Sequence, residues 1–396
     1  MSRRGRFVLS AASALAVSLL MATTSASAAP LALGSGGSRH PLPAIAQLKV
    51  IDGQQALERG PGKRVAALPT TTVPKWRHTV SDGGTSYQYA MVGRNPTVAQ
   101  TTQSVTVPTE VVPLVVKFSN GHTWNPSVGD SCDSTSALAR TAASPIFKTK
   151  SYSFGGASVG TSQYVDAFQR ANYYKYTSSS GINPGYHVTL GLTMLSPVTI
   201  SVPNADSAEG TTTCGNGLLG AVEINWLDNY LRTKVIPSLA AQGVGVKTLP
   251  LFLLGNVVEY VGTPNDCCVL GFHNAFQTSA GIQTYAVSMY DNTGDFTGSQ
   301  DVSVLAHEVG EWMDDPLTTN PTRPWGHVGQ VSGCQNTLEV GDPLSGKLAS
   351  VTLSSHVYHV QELAFTSWFY HQATSTGVNG WYSNYGTFKA PAAACS

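Results

Sequence analysis

Residues 306–316 carry the densest group of chemically active side chains in this protein. Their sequence, Ala-His-Glu-Val-Gly-Glu-Trp-Met-Asp-Asp-Pro, places one histidine and four carboxylates within nine residues, whereas only 12% of the whole chain is charged. His307 and Glu311 are four residues apart, so on a helix both side chains lie on one face and can bind one metal ion. Glu308 stands where the general base stands in the zinc-peptidase helix His-Glu-x-x-His. The stretch predicts a metal-dependent hydrolase in which Glu311 replaces the second histidine ligand.

The surroundings of these acids also favour a bound cation. Residues 302–306 are mostly apolar, so the helix is expected to be buried, and a carboxylate buried without a cation costs on the order of several kcal/mol. Glu311, Asp314 and Asp315 fall near the C-terminal end of the helix, where the macrodipole disfavours each exposed acid by about 0.3–1 kcal/mol. One histidine with two carboxylates is a hard ligand set. It predicts a divalent metal, with zinc as first choice and manganese or calcium also admitted.

The third metal ligand has to come from another part of the chain. At a rise of about 1.5 Å per residue, Asp315 lies about 12 Å along the helix axis from the histidine of the motif. It is therefore expected to support the site from outside the ligand set. Glu339, in Leu-Glu-Val-Gly-Asp, is the first choice for the third ligand, with Asp342 orienting a ligand histidine. His273 and His327 are the reserve ligands.

The motif resembles that of the gluzincin-type metallopeptidases. In that family a glutamate well downstream of the His-Glu-x-x-His helix completes the zinc site, and an acidic residue follows shortly after it. Here His307, Glu308 and Glu339 match a ligand, the base and the downstream glutamate. The resemblance implies a zincin-like core with catalytic zinc.

A closer resemblance is to the Exordium-like, phosphate-induced secreted proteins. These carry His-Glu-x-x-Glu-x-x-x-Asp-Pro, which matches residues 307–316 of this chain. They also show Gly-x-His before a Tyr-Ala-Val strand, as in residues 271–273 and 285–287, and an acidic Glu-x-x-Asp element after the helix. The likeness covers about residues 267–342. It implies a secreted, cell-surface or wall-associated protein with a zincin-like core.

The residues leave three functions open. The first is a secreted zincin-like peptidase that uses Glu308 as general base and acts on a peptide or protein. The alternative is a non-catalytic, zincin-derived, Exordium-like protein that keeps the cation, or only the fold, and binds a cell-wall polymer or a partner. In the third, His307 is a core histidine and the acids only form hydrogen bonds and caps. Formal net charge is zero and no basic stripe is present, so a nucleic-acid partner is not expected.

The N-terminal residues predict export of the protein. Residues 1–28 combine three early arginines, an apolar run and Ala-Ser-Ala, which together predict a cleaved signal peptide and an extracellular location. Residues 29–105 are rich in Pro, Gly, Ser and Thr, and are predicted to form a pro-segment or linker-like region. Residues 106–396 are predicted to form one zincin-like domain, without a membrane span once the signal is removed. Six cysteines in an exported chain predict up to three disulfides, with separate partners expected for Cys267 and Cys268.

Strand-like and helix-like segments are mixed without regular alternation, which predicts an α+β fold: a mixed sheet packed on the His-Glu-x-x-Glu helix and further helices. Strands are expected at residues 112–118, 186–190, 198–202, 251–261 and 284–290. Helices are expected at residues 163–174, 222–242 and 357–373, and across the motif up to Pro316. A Gly- and Pro-rich loop is expected at residues 318–346.

Overall fold

The computed structural model describes residues 41–44, 50, 51, 53, 56, 57, 71–374 and 377–395. The predicted signal peptide, residues 1–28, lies outside the described residues, as does much of the predicted pro-segment. The protein is a mixed α+β structure of about 20% helix and 40% strand with a curled mixed sheet. The predicted α+β class is therefore confirmed, while the zincin-like assignment stays a prediction.

Strands and helices follow one another along the described chain without regular alternation. The strands are β1 (Lys75–Asp82), β2 (Thr85–Val92), β3 (Ser104–Phe118), β4 (Thr123–Trp124), β5 (Lys150–Phe154), β6 (Ala157–Ser162), β7 (His187–Met194), β8 (Val198–Val202), β9 (Ser207–Thr211), β10 (Leu218–Glu223), β11 (Leu249–Gly255), β12 (Val257–Val261), β13 (Thr263–Val269), β14 (Gly271–Thr278), β15 (Gly281–Tyr290), β16 (Pro321–Val328), β17 (Val331–Thr337), β18 (Leu348–Leu353) and β19 (His356–Gln361). The helices are α1 (Ala137–Ala143), α2 (Tyr164–Asn172), α3 (Tyr174–Thr177), α4 (Ile224–Tyr230), α5 (Ile236–Ser238), α6 (Ser303–Asp314) and α7 (Thr366–Phe369). A π-helical stretch, Leu231–Val235, joins α4 to α5, and 3-10 turns lie at Asn204–Asp206, Ala240–Gln242, Asp342–Leu344 and Val378–Gly380.

The largest sheet supports the motif helix α6. Its strand order is β14–β15–β11–β3, and β7, β8 and β4 also pair with the long strand β3. The β3, β11 and β15 strands run parallel, and β14 is antiparallel to β15. Every residue of β15 is buried, as expected for a parallel strand covered on both faces. Its alternate residues enter two apolar clusters: Ala286 shares one with Val309 of α6, and Val287 shares the other with Leu227 of α4.

The helical segment predicted at residues 222–242 begins slightly later in the structure. The β10 strand runs to Glu223. The Glu223 carboxylate accepts a hydrogen bond of 2.8 Å from the backbone N–H of Trp226, so Glu223 caps α4. The segment ends at Gly243, whose φ of 99° is a left-handed conformation that glycine adopts without strain.

Three other local expectations are wrong. Residues 357–373 form the strand β19 and the short helix α7, because Tyr358 and Val360 alternate inward with a period of two that suits a strand. Residues 318–346 include the β16–β17 hairpin. Residues 251–261 belong to two strands, because Asn256 has a φ of 55° and leads the chain from β11 into β12 of a second sheet.

The β1–β2 hairpin, within the region predicted to be a pro-segment or linker, packs against the domain. Ala90 donates its backbone N–H to Asn320 Oδ1 at 2.8 Å, and Asn320 Nδ2 donates to the Ala90 carbonyl at 2.7 Å. Trp76, Tyr89 and Met91 lie in the same apolar cluster as α6. The pro-segment role of residues 29–105 stays a prediction. Within this region, the β1–β2 hairpin contributes residues to the core.

Three disulfides link the six cysteines: Cys132–Cys214, Cys267–Cys268 and Cys334–Cys395. The expectation of separate partners for the two adjacent cysteines is wrong, since the other four pair among themselves. Among the described helices, none has the length and apolarity needed to cross a bilayer.

Candidate metal centre

The motif helix α6 is the element that positions the site. All twelve of its residues, Ser303–Asp314, are buried. It ends where Asp315 leaves helical conformation, with φ −139° and ψ 69°, in front of Pro316. A helix carrying the motif and ending before the proline is thus confirmed.

His307 faces two carboxylates with one ring nitrogen. Its Nε2 lies 3.1 Å from Glu311 Oε1 and 3.5 Å from Asp342 Oδ1. Its Nδ1 lies 3.0 Å from Nε2 and 3.2 Å from Oε1 of Gln361, whose Nε2 also donates to the Gly341 carbonyl at 2.7 Å. In the tautomer that carries the proton on Nδ1 and donates it to Gln361 Oε1, the Nε2 lone pair faces the carboxylates, as in metal-binding histidines. We call His307, Glu311 and Asp342 the first cluster.

His273, on the edge strand β14, faces the other side of the same glutamate. Its Nε2 lies 3.2 Å from the backbone carbonyl of Asp315, which only accepts hydrogen bonds, so Nε2 carries the proton. Its Nδ1 lies 3.5 Å from Glu308 Oε2 and 3.7 Å from Glu311 Oε2, and has no hydrogen-bond partner among the described residues. We call His273, Glu308 and Glu311 the second cluster.

Glu311 joins the two clusters and is held by the loop after β17. Its Oε1 accepts hydrogen bonds from the backbone N–H groups of Gly341 and Asp342, at 3.0 Å and 3.2 Å. A Cβ on Gly341 would lie 2.5 Å from His307 Nδ1, so only glycine lets this loop approach the imidazole. Asp342 is held in turn through Oδ2, which accepts from Gln335 Nε2 at 2.8 Å. The loop thereby brings Asp342 to the histidine.

Burial and mutual charge shift the protonation of both clusters. Loss of water raises the pKa of Glu311 to about 7, even though His307 opposes the rise. Burial alone would lower the pKa of His307, but Glu311 and Asp342 outweigh it and hold this pKa well above its usual value. The pKa of His273 is also raised, because Glu308 and Glu311 outweigh the effect of burial. These groups therefore retain protons that a bound cation would displace.

The remaining predicted residues lie outside the clusters. The Asp315 carboxylate accepts backbone hydrogen bonds from Thr319 at 3.0 Å and Asn320 at 2.7 Å, and burial raises its pKa to about 6. Together with its carbonyl contact to the second cluster, this fits the predicted supporting role. Glu339 is fully buried and belongs to neither cluster, and its assignment as the third ligand stays a prediction.

His327, the other reserve ligand, lies at the surface near Cys334 and Cys395. These cysteines form a disulfide, and metal binding by cysteine requires the thiolate. The structure therefore brings His327 to neither cluster.

A cavity of about 560 Å³ opens onto His307 and Glu308. Both lie in its wall together with Gln361, whereas His273, Glu311 and Asp342 are not part of its described lining. The apolar part of the wall is formed by Val50, Ile51, Leu270, Phe296 and Val304. A substrate in the cavity would therefore meet His307 of the first cluster and Glu308 of the second, but not the other members of either cluster.

Sequence reasoning missed Gln361, which fixes the ring of His307 from 54 residues away. The sequence gives Asp342 an orienting role, and the structure places its Oδ1 3.5 Å from His307 Nε2. The Leu-Glu-Val-Gly-Asp segment carried some signal, because Gly341 directly precedes Asp342 and permits the close approach. No local pattern marked Gln361.

No family model, curated protein or solved structure matches this chain. The resemblance to gluzincins and to Exordium-like proteins therefore stays a prediction that depends on the motif residues.

Proposed function

We propose that the protein is a metal-dependent hydrolase whose metal ligands are the first cluster and whose general base is Glu308. The spacing of the ligand atoms carries the proposal. A tetrahedral ion with bonds of about 2.0–2.1 Å holds its ligand atoms about 3.3–3.4 Å apart. His307 Nε2 lies 3.1 Å from the Glu311 oxygen and 3.5 Å from the Asp342 oxygen, and so brackets that value. Asp342 takes the ligand position that the sequence assigned to Glu339.

The chain supplies orientation and a proton acceptor. Gln361 holds the His307 ring so that Nε2 faces the two carboxylates, and two backbone N–H groups hold Glu311. A divalent cation bound here would polarise a substrate carbonyl and lower the pKa of a bound water. Glu308, in the cavity wall beside His307, is placed to accept a proton from a nucleophilic water.

The cavity and the ligand set define the substrate and metal of the proposal. Apolar wall residues such as Leu270 and Phe296 suit an apolar side chain beside a polar backbone. A peptide or protein substrate follows from the gluzincin resemblance. One imidazole and two carboxylates suit zinc, and admit manganese or calcium more readily than two imidazoles would.

The setting of this activity is extracellular in our proposal, with residues 1–28 removed. Three disulfides, and the lack of a membrane-spanning helix among the described residues, are compatible with a secreted protein.

The test is hydrolysis of casein and of peptide libraries by the purified protein. The native, chelator-treated and zinc- or manganese-reloaded forms are compared, together with Glu308→Gln. Glu209→Gln is the matched control, because it removes a carboxylate that pairs with a histidine elsewhere. We expect turnover to be lost on chelation, restored on reloading, lost in Glu308→Gln and kept in the control.

Unchanged turnover in Glu308→Gln would show that the general-base assignment is wrong. Stoichiometric cation binding with no turnover of any substrate would instead favour the non-catalytic, Exordium-like binding protein. Absence of cation binding would refute the hydrolase and leave the acids as hydrogen-bonding residues of a protein that keeps only the fold.

A further inference from the structure

The distances in the second cluster differ from those of the histidine–carboxylate pairs that lie outside the motif in the described chain. Four such pairs lie outside the motif, and each has the length of a hydrogen bond. They are His187–Asp166 at 2.6 Å, His359–Asp301 at 2.7 Å, His371–Asp82 at 2.8 Å and His122–Glu209 at 2.8 Å. In the second cluster, His273 Nδ1 lies 3.5 Å and 3.7 Å from its two carboxylate oxygens.

His273 is oriented in advance by the backbone. Its side chain is fully buried, and its Nε2–H donates to the Asp315 carbonyl at 3.2 Å. In the neutral ring the Nδ1 lone pair therefore points toward Glu308 Oε2 and Glu311 Oε2, and Nδ1 has no hydrogen-bond partner among the described residues. A lone pair facing two anionic oxygens is repelled by both, so a positive charge is required between them.

Two positive charges could fill this position, and they predict different distances. A proton on Nδ1 would draw one carboxylate in to hydrogen-bond length, as in the four pairs outside the motif. A cation bound by all three atoms would hold them about 3.3–3.4 Å apart. The observed 3.5 Å and 3.7 Å are closer to the spacing around a shared cation than to the 2.6–2.8 Å of the four pairs outside the motif.

We infer that the protein binds a second divalent cation through His273 Nδ1, Glu308 Oε2 and Glu311 Oε2, so that the Glu311 carboxylate bridges two cations. The inference rests on the proposed function only for the first cation, since His273 belongs to the second cluster alone. Zinc and manganese suit one imidazole with two carboxylates.

The second cation lies away from the cavity and positions Glu308 without contacting the substrate. Of the three residues in its cluster, Glu308 alone lies in the described cavity wall. Binding through one Glu308 oxygen fixes that carboxylate and leaves its other oxygen to accept a proton. His273 is thus a positioning residue whose Asp315 contact keeps the imidazole lone pair directed at the cation.

The experiment counts cations in the intact protein. Chelator-treated protein is reloaded with zinc, desalted and analysed by elemental mass spectrometry, with calorimetric titration for the affinities. We expect about two cations per chain in the wild type, and about one in His273→Gln and in Asp342→Asn, because each variant lacks a ligand of only one cluster. His187→Gln is the matched control and keeps about two, because His187 pairs with a carboxylate at hydrogen-bond length.

One cation in both the wild type and His273→Gln overturns the inference and leaves the proposed hydrolase intact. Two cations without hydrolysis keep the inference and refute the proposed function. Because His273 is fully buried, circular dichroism first checks that its variant folds.

If His273→Gln does not fold, a measurement on the wild type tests whether two cations share the Glu311 carboxylate. Manganese-loaded protein is examined by electron paramagnetic resonance, where two ions bridged by the Glu311 carboxylate give an exchange-coupled spectrum. A spectrum of isolated manganese ions at full loading overturns the inference.

Discussion

Two regions of the molecule bury a carboxylate beside a histidine and satisfy it differently. Asp166, in α2, accepts hydrogen bonds from His187 at 2.6 Å, from the backbone N–H of Val188 at 2.6 Å and from Ser162 Oγ. In the second cluster, Glu308 Oε2 and Glu311 Oε2 face His273 Nδ1 at 3.5 Å and 3.7 Å, and the backbone hydrogen bonds to Glu311 reach its other oxygen. A buried acid surrounded by donors is satisfied by the structure, whereas acids that face a lone pair need a proton or a cation between them.

The strongest test of this comparison replaces one buried acid by its amide in each of the two regions. Asp342→Asn is expected to lower kcat/KM by at least about 100-fold, the scale of losing one electrostatic group in an active site. Asp166→Asn is expected to lower stability while the folded fraction keeps its kcat/KM, because its donors are structural. Peptide turnover corrected for active protein measures both. A comparable loss in the Asp166 variant would remove the distinction between the regions.

Glu339→Gln separates the sequence assignment from the structural one. If Asp342 is the third ligand, this variant retains the cation, as measured by elemental analysis. Loss of the cation in Glu339→Gln, with retention in Asp342→Asn, would restore the assignment made from sequence.

Removing the cations should destabilise the protein. A ligand present at 100 times its Kd stabilises the folded state by about 2.7 kcal/mol, so chelation is expected to lower the free energy of unfolding by about that amount per tightly bound cation. His187→Gln should show the same drop, because His187 belongs to neither cluster and pairs with Asp166 at hydrogen-bond length. Denaturant unfolding with and without chelator measures it. An unchanged midpoint in the wild type would show that the motif acids are satisfied without a cation.

The metal-free protein should lose stability as pH rises. The pKa of Glu311 is raised from 4.5 to about 7 in the folded state, so between these values the folded chain binds more protons than the unfolded chain. Stability therefore falls with rising pH across this window, by at most about 1.4 kcal/mol per pH unit for one group. The raised pKa values of His307 and His273 act in the same direction. Glu311→Gln should flatten the dependence, and a slope unchanged in that variant would contradict the assignment.

Glu259 is a buried acid of a third kind, and its replacement has the smallest expected effect on stability. Its side chain is fully buried in β12, and neither carboxyl oxygen accepts a hydrogen bond from another described residue. Burial, with a smaller contribution from the charge of Glu308, holds the pKa of Glu259 well above its usual value and so favours the neutral acid.

Glu259→Gln, which replaces this neutral acid with an amide of similar shape, should change stability by less than about 1 kcal/mol near pH 5. Because the folded pKa is raised, wild-type stability falls with pH above about 4.5, and the variant should gain on the wild type as pH rises. Thermal unfolding across pH 5–8 measures the difference. A variant that loses ground on the wild type at high pH would show that Glu259 is charged and paired.

The sequence predicts the motif helix correctly but not the strand β19. His307 and Glu311 share one helix face because i to i+4 neighbours do so whatever the rest of the chain does. Residues 357–373 are predicted as a helix because Val360, Leu363 and Ala364 fit a helical period, whereas Tyr358 with Val360 fits a strand. Pairing with β18 decided between the two.

The sequence by itself determined the motif helix and the burial of its acids. Only the tertiary structure decided which side chains contact this helix. Asp342 lies on a loop that approaches His307 closely because Gly341 has no side chain, Gln361 lies on β19, and His273 lies on the edge strand β14. The physical reason is range. Helix periodicity acts over a few residues, whereas these contacts join segments 30 or more residues apart, and their distances depend on the path of the chain across a curled sheet.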